Sequence, residues 1–199
     1  NLFSVAGKTA LITGGGSGIG GFMAQSLADE GASILLVGRR EEKLKEVLGA
    51  RDGSIFVIDL SEAGASQRLF KMVTDRGYQP DIIVNAAGIN PRLHADEIDE
   101  DMWNYTVHLN LNVPFLVAQK FVPAMQANRW GRIINIASMQ SSRAFPNGIS
   151  YGAAKGGVTQ LTRAMAEAWS ALGVTANALA PGFFPTDLTS ALFADPKTA

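Results

Sequence analysis

The sequence contains no cysteine and no excess of charge of either sign. Without cysteine, disulfides, cysteine-ligated zinc and thiol catalysis are excluded, and the absence fits a reducing compartment. The 17 basic and 18 acidic residues nearly cancel, whereas a dedicated nucleic-acid binder normally carries a basic excess. No apolar run approaches the ~20 residues of a membrane span, and residues 1–8 lack a signal peptide's apolar core. We therefore expect a cytoplasmic protein that binds neither nucleic acid nor membranes.

The 199 residues do contain enough apolar surface for a core. Hydrophobic residues make up 47% and charged residues 18%, which excludes a disordered chain and predicts a single domain over residues 1–199. Apolar strands predicted at 9–13, 33–37, 54–59, 81–85, 132–137 and 174–180 alternate with amphipathic helices. This alternation is typical of parallel strands covered on both faces, so we predict an α/β, Rossmann-like, doubly wound sheet.

A glycine-rich loop joins the first predicted strand to the first predicted helix. Residues 13–20 read Thr-Gly-Gly-Gly-Ser-Gly-Ile-Gly, with Gly14, Gly18 and Gly20 in the spacing G-x-x-x-G-x-G. Glycine lets the backbone approach a ligand closely, and the following helix directs unpaired N–H groups and a positive dipole end at the loop. The loop therefore predicts a pyrophosphate site, with an ordinary turn as the alternative.

The second predicted strand ends in cations where a site for NAD usually has an acid. The residues here are Val37-Gly38-Arg39-Arg40. An acidic side chain at this point binds the ribose 2′-OH of NAD, whereas arginine accommodates the 2′-phosphate of NADP. Guanidinium groups bind phosphate in a bidentate manner, so the pair favours NADP(H), with NAD possible and a solvated arginine pair as the alternative.

Tyr151 and Lys155 lie four residues apart in a predicted helix and therefore share one face. A free tyrosine has a pKa near 10, and a cation within ~4–6 Å lowers such a pKa by roughly 1–3 units. Lys155 is placed to supply that charge. Ser138 ends the fifth predicted strand, at the edge where doubly wound sheets bind ligands. Its hydroxyl can hold a substrate carbonyl beside that of Tyr151.

Together these motifs resemble the classical short-chain dehydrogenase/reductases. The resemblance rests on the loop at 13–20, Asn85-Ala-Ala-Gly88, Asn110, Ser138, Tyr151-x-x-x-Lys155 and Pro181-Gly182. It implies an NADP(H)-dependent oxidoreductase that interconverts a secondary alcohol and a ketone by hydride transfer. The opening residues and the stretch after Gly88 are similar to gluconate 5-dehydrogenases and 3-oxoacyl-(acyl-carrier-protein) reductases.

The resemblance also implies residue roles. Tyr151 is the general acid/base, Ser138 polarises the carbonyl, Lys155 lowers the tyrosine pKa and binds the nicotinamide ribose, and Asn110 holds a relay water. The implied cofactor contacts are Gly14, Ser17, Gly18, Ile19, Gly20, Arg39, Asp59, Leu60, Asn85, Ala86, Ala87, Gly88, Tyr151, Lys155, Pro181, Gly182 and Thr186. Ala86 departs from the family, which usually has asparagine there.

The substrate side is expected in the loops after the fourth and fifth strands. The candidate contacts for a small carbonyl or alcohol are Arg92, His94, Gln140 and Phe145, with solvated loop residues as the alternative. No other histidine or carboxylate stands at ligand spacing from His94, so no metal site is predicted. The segment after Pro181-Gly182 is rich in apolar residues, which suit either a lid that excludes water or a core or subunit contact. These residues are Phe183, Phe184, Leu188, Leu192 and Phe193.

Members of the resembled family usually continue into a seventh strand after the lid. We therefore expect a sheet that lacks the usual C-terminal strand, and the resemblance implies a homo-oligomer, either a dimer or a tetramer. A non-catalytic or truncated dinucleotide-binding module is the alternative function, although the presence of the complete family tetrad, Asn110, Ser138, Tyr151 and Lys155, is against it. An epimerase or dehydratase on the same fold usually has a longer chain.

Pro114 lies inside a helix that the sequence predicts over residues 99–127. Proline has no N–H, and its ring crowds the carbonyl four residues earlier, which is that of Asn110. We expect a kink there that directs the Asn110 carbonyl toward Lys155 through an ordered water, with a plain packing kink as the alternative.

Overall fold

The computed structural model describes residues 4–186, and their strands form a six-stranded parallel sheet. The strands are β1 Thr9–Thr13, β2 Ser33–Gly38, β3 Gly53–Val57, β4 Ile82–Asn85, β5 Gly131–Ile136 and β6 Val174–Leu179. They lie in the order β3-β2-β1-β4-β5-β6, with every neighbouring pair parallel. This arrangement confirms the predicted doubly wound α/β fold.

Helices connect the strands. They are α1 Gly18–Asp29, α2 Glu41–Leu48, α3 Ala65–Asp75, α4 Glu100–Val107, α5 Val113–Ala127 and α6 Ile149–Trp169. Short 3-10 turns lie at Ala95–Glu97, Met139–Ser141 and Ser170–Leu172. Within residues 4–186, none of the helices has the length and apolarity needed to cross a bilayer.

Apolar side chains cover both faces of the sheet, as buried parallel strands require. In β1, Leu11 packs into the cluster on one face and Ile12 into the cluster on the other. Leu11 pairs in register with Leu35 of β2 and Ile83 of β4, so one continuous row of side chains crosses three strands. The strict alternation holds each strand in register, because a slip of one residue would exchange the two faces.

The third strand ends earlier than the sequence predicted, at Val57 rather than Asp59. Asp59 Oδ1 accepts hydrogen bonds from the Ser61 N–H at 2.9 Å and from the Ser61 hydroxyl at 2.6 Å. An aspartate that bonds the backbone two residues later forms a local turn, which competes with the strand ladder. The turn carries Asp59 to the carboxyl edge of the sheet.

The helix predicted over residues 99–127 is interrupted. A π-helical turn, His108–Asn112, separates α4 from α5. Here the Val113 N–H donates to the His108 carbonyl, five residues back, and Pro114 has no N–H with which to restore the four-residue pattern. The break near Asn110 is therefore present, while the direction of the Asn110 carbonyl stays a prediction.

A buried chain of side-chain amides joins the central strands to the helices. Asn85 Nδ2 donates to Asn135 Oδ1 at 2.8 Å and to the Pro114 carbonyl at 3.2 Å. Asn135 Nδ2 donates to the Thr162 hydroxyl at 2.9 Å. Because buried polar groups cost free energy when unpaired, this network holds α5 and α6 in one position against β4 and β5.

Candidate active site

A cleft of about 450 Å³ opens at the carboxyl edge of the sheet. β1 has β2 on one side and β4 on the other, so the connections after β1 and β4 leave in opposite directions and open the crevice where such sheets bind ligands. The predicted site residues that line it are Gly14, Ser17, Gly18, Ile19, Gly20, Arg39, Asp59, Leu60, Ala86, Ala87, Gly88, Arg92, Asn110, Ser138, Gln140, Phe145, Tyr151, Lys155, Pro181, Gly182 and Thr186.

Two predicted site residues, Asn85 and His94, do not line this cleft. The Asn85 amide is buried and turned toward Asn135, so it can act on a ligand only by holding the strand end in place. His94 caps the turn Ala95–Glu97, where its Nδ1 accepts from the Asp96 N–H at 3.4 Å, and it borders a neighbouring pocket. The part of the chain that the structure describes holds no cluster of three or more metal-ligating side chains.

The glycine loop turns sharply between β1 and α1. Gly14 has φ +67°, and a Cβ there would lie 2.8 Å from the Ala87 nitrogen. A Cβ on Gly20 would lie 2.5 Å from the Gly14 carbonyl oxygen. Side chains at either position would separate the loop from the helix start, so these glycines hold the loop against the Ala86–Ala87 backbone.

The start of α1 fits an anionic ligand. Ser17 occupies the N-cap position, yet its hydroxyl makes no capping bond and instead accepts from Arg40 Nη2 at 2.8 Å. The first turn of α1 contains no acidic residue either. Because the first N–H groups of a helix need partners and its dipole is positive there, the site suits a dinucleotide pyrophosphate.

Charged side chains border the cleft where β2 and β3 end. Arg39 Nη1 lies 3.4 Å from Asp59 Oδ2. Burial raises the pKa of the Asp59 carboxyl, but the Ser61 hydrogen bonds and the charge of Arg39 outweigh burial and bring the pKa below its ordinary value. Arg39 and Arg40 both line the cleft, so two guanidinium groups border this end of it.

The ammonium group of Lys155 lies inside the protein. Its Nζ donates to the Ile136 carbonyl at 2.6 Å, and the residue is only 5% exposed. Burial lowers its pKa from 10.5 to about 8. Lys155 therefore remains mostly charged at neutral pH but needs less free energy to release a proton than an exposed lysine does.

The Tyr151 hydroxyl has a pKa above its ordinary value. Burial raises this pKa, while a hydrogen bond with the Ser138 hydroxyl and the charge of Arg92 oppose the increase. The Lys155 ammonium lies 5.5 Å from the centre of the tyrosine ring and is bonded to Ile136. The direction is opposite to the lowered pKa that the resemblance implied, because burial is the largest contribution.

Asn110 contributes an unpaired buried oxygen. Its Nδ2 donates to the carbonyls of Ile89 and Thr106, each at 2.9 Å, while its Oδ1 accepts no hydrogen bond. A Cβ on Gly88 would lie 2.5 Å from this Oδ1 and 3.8 Å from Lys155 Nζ. The amide oxygen thus occupies the space that a side chain at residue 88 would need, so glycine there lets Asn110 lie close to the backbone beside the Lys155 ammonium.

The sequence reasoning missed the apolar wall of the cleft, which consists of Leu44, Ile58, Ile89, Leu109 and Ile136. Most of these stand next to a motif residue, and that adjacency was the available signal. Phe183 lies edge-on against Phe145, with ring centres 5.9 Å apart. The predicted lid residues beyond Thr186 lie outside the described part of the chain.

Lys155→Met is expected to flatten the pH dependence of the free energy of unfolding. The pKa of Lys155 is about 8 in the folded protein and 10.5 for a lysine in the unfolded chain. Between these two pH values the unfolded chain binds more protons, so stability rises with pH in the wild type. The rise that the variant lacks amounts to about 3 kcal/mol.

Urea unfolding across this pH range, without cofactor, measures the free energy of unfolding against pH for the wild type and for Lys155→Met. The control is Lys71→Met, on the exposed face of α3. Parallel curves for wild type and Lys155→Met would contradict the lowered pKa.

Comparisons with known proteins agree with this geometry. The family model described as short chain dehydrogenase matches residues 8–197. A gluconate 5-dehydrogenase of Gluconobacter oxydans is 36% identical over 201 residues, which cover 98% of this chain and 78% of that protein. A 3-oxoacyl-(acyl-carrier-protein) reductase of Vibrio harveyi is 32% identical, with 98% of this chain and 81% of that protein covered.

Solved structures agree as well. The crystal structure of a gluconate 5-dehydrogenase from Burkholderia cenocepacia, in complex with NADP and tartrate, superposes with a TM-score of 0.91. The two sequences are 38% identical, and the superposed region covers 98% of this chain and 79% of that chain. The resemblance drawn from the motifs is confirmed: the chain belongs to the short-chain dehydrogenase family and is an oxidoreductase of that family.

Proposed function

We propose that the protein interconverts a secondary alcohol and a ketone with NADP(H), and that Tyr151 is the general acid/base. The observation that carries this proposal is the meeting of three groups in one cleft. Tyr151 and Ser138 line the cleft together, with the Ser138 hydroxyl near enough to act on the Tyr151 pKa, and the Lys155 ammonium lies 5.5 Å from the centre of the tyrosine ring. Two adjacent hydroxyl donors suit the oxygen of a carbonyl that becomes an alcohol.

The protonation state of Tyr151 favours its action as an acid. Because its pKa is raised, the hydroxyl carries its proton at neutral pH and can donate it to the developing alkoxide of a ketone. Oxidation of an alcohol needs the deprotonated form, so its rate is expected to rise with pH. NADPH, when bound, supplies the hydride. Lys155 and Asn110 line the same cleft as Tyr151, and in this proposal they return a proton to it through water that the unpaired Asn110 oxygen holds.

The cofactor proposal is NADP(H) in preference to NAD(H). The rim of the cleft carries Arg39 and Arg40 and no acidic residue at the end of β2. Arg39 now pairs with Asp59 at 3.4 Å, a weak exposed contact that a dianionic 2′-phosphate can replace. The Burkholderia cenocepacia relative described as a complex with NADP supports the same choice.

The substrate proposal is a small keto or hydroxy acid with several hydroxyl groups. Arg92 lines the cleft, and its charge acts on the Tyr151 hydroxyl, so a carboxylate bound to Arg92 would lie near the reacting carbon. Gln140 lines the same wall and offers amide hydrogen bonds to hydroxyl groups. The similar gluconate 5-dehydrogenases carry such a substrate in their name.

The family resemblance also supports three further parts of the proposal. These are a single catalytic domain, a cytoplasmic location and a homo-oligomeric state, either dimer or tetramer. Light scattering on the purified protein tests the last of them. A non-catalytic dinucleotide-binding module is disfavoured, because all four tetrad residues line the cleft.

Tyr151→Phe should lower kcat by about 10²–10⁴-fold, the usual contribution of general acid catalysis. The dissociation constant of NADPH should stay within about twofold, because the ring still packs in place and only the transferable proton is lost. Steady-state rates with a keto sugar acid and fluorescence titration with NADPH measure the two quantities. Tyr105→Phe is the matched control, and near-normal turnover in Tyr151→Phe would remove the residue from the mechanism.

Arg39→Ala should raise the dissociation constant of NADPH about tenfold or more and leave that of NADH unchanged. A charged hydrogen bond to phosphate is worth roughly 1.5–3 kcal/mol, and NADH lacks the 2′-phosphate. Calorimetric titration of both cofactors measures the ratio, with the exposed Arg163→Ala as control. Equal affinity of the wild-type protein for NADH and NADPH would refute the arginine site.

Arg92→Met should raise KM for a keto sugar acid about tenfold and leave KM for the corresponding neutral keto sugar unchanged. The expected size is that of one charged hydrogen bond to a carboxylate. Initial rates with the two substrates, and with the exposed Arg143→Met as control, measure this difference. A similar loss with both substrates would contradict carboxylate binding at Arg92.

A further inference from the structure

The hydroxyl of Ser141 bridges two backbone groups of the active site. Ser141 ends the 3-10 turn Met139–Ser141, which follows β5. Its Oγ accepts a hydrogen bond from the Ser138 N–H at 3.2 Å and donates one to the Lys155 carbonyl at 2.8 Å. A serine hydroxyl has one proton to donate and lone pairs to accept, so a single side chain fills both roles.

This bridge links two elements that approach the cleft from different directions. Ser138 stands on the turn after β5, whereas Lys155 and Tyr151 stand on α6. The turn lies directly on the helix: a Cβ on Gly156 would lie 3.7 Å from the Ser141 carbonyl oxygen, within ordinary contact. The hydroxyl thus supplies a directional bond within an otherwise non-directional contact.

We propose that Ser141 is a positioning residue that sets the place of the Ser138 hydroxyl relative to the Tyr151 hydroxyl. The inference rests on the proposed function, in which these two hydroxyls hold one carbonyl oxygen. Ser141 has no role in the tetrad and touches no reacting atom in this scheme. It acts through the backbone of the turn and the backbone of the helix.

The side chains of the two catalytic residues have little freedom to correct a backbone shift. A serine hydroxyl moves only about χ1, and the buried Tyr151 ring is held by its packing. The Ser138 hydroxyl also accepts from the Gln140 N–H at 3.1 Å, which ties it to the same turn. Any movement of the turn along α6 therefore changes the spacing of the two hydroxyls directly.

Loss of the bridge leaves two backbone groups changed. The Ser138 N–H loses its acceptor, and the Lys155 carbonyl keeps the Thr159 hydroxyl at 3.2 Å as a remaining side-chain donor. The Lys155 carbonyl of α6 therefore still accepts a hydrogen bond from a side chain, whereas the turn Met139–Ser141 loses its hydrogen bond to the helix. The expected consequence is a displaced Ser138 in a protein that still folds and still binds its cofactor.

The experiment compares the wild type with Ser141→Ala, Ser141→Thr and Ser142→Ala. Ser142 is the exposed neighbour and serves as the matched control. For each protein we would measure kcat and KM across pH with NADPH and a keto sugar acid, together with the thermal unfolding midpoint. Difference titration of tyrosinate absorbance against Tyr151→Phe reports the ionisation of Tyr151 without turnover.

Ser141→Ala is expected to lower kcat about tenfold or more, because small misplacements of catalytic groups are costly, with KM for NADPH unchanged within about twofold. The pKa of Tyr151 should rise, since the Ser138 hydrogen bond that opposes burial is weakened. Ser141→Thr keeps a hydroxyl and should restore most of kcat. Ser142→Ala should match the wild type.

An unchanged kcat in Ser141→Ala, an equal loss in Ser142→Ala, or no recovery in Ser141→Thr would overturn the proposal. If Ser141→Ala does not fold, Ser141→Cys keeps the volume with a weak donor, and the same fall in kcat is required of it. A wild-type protein that reduces no ketone refutes the proposed function. The Tyr151 titration still decides on Ser141 in that case, because an unchanged pKa in Ser141→Ala refutes its role.

Discussion

The buried ammonium of Lys155 is the constraint on which the site depends. A charge without solvent needs a close polar partner, and the Ile136 carbonyl supplies one at 2.6 Å. Ile136 is the last residue of β5, so the lysine binds α6 to the carboxyl end of a central strand. Tyr151 stands one helical turn before Lys155 and is carried to the same edge.

The burial that holds Lys155 also sets the chemistry of its neighbours. Removing both groups from solvent lowers the pKa of Lys155 from 10.5 to about 8 and raises the pKa of Tyr151 above its ordinary value of 10.0, so the lysine becomes the stronger acid of the two. A Tyr151 that has given up its proton therefore binds a proton more tightly than Lys155 does, so transfer from the ammonium through water to the tyrosine is favourable. The unpaired Asn110 oxygen, which lies against the Gly88 backbone, can accept a hydrogen bond from such a water.

Hydrogen bonds between the sheet and the helices hold the elements that bear Ser138, Tyr151 and Lys155 in place. The amides of Asn85 and Asn135 connect the strand ends to α5 and α6. The Ser141 hydroxyl connects the turn Met139–Ser141 to α6. At the opposite end of the cleft the N-cap serine of α1 is bonded to Arg40 and leaves the helix start uncapped by any side chain. The end of the cleft at α1 is thus suited to anions, while the end at α6 presents the side chains of Ser138, Tyr151 and Lys155.

The sequence by itself determined the alternating strands and helices, and it singled out the glycine loop and the four tetrad candidates, because local periodicity encodes the former and short motifs such as residues 13–20 and Tyr151-x-x-x-Lys155 mark the latter. It also located the break at Pro114, since a missing N–H is a local property. Only the tertiary structure decided that the Asn85 amide faces the interior, that Tyr151 has a raised pKa and that Ser141 bridges two elements. Burial and long-range hydrogen bonds decided these features, and both depend on which distant segments meet.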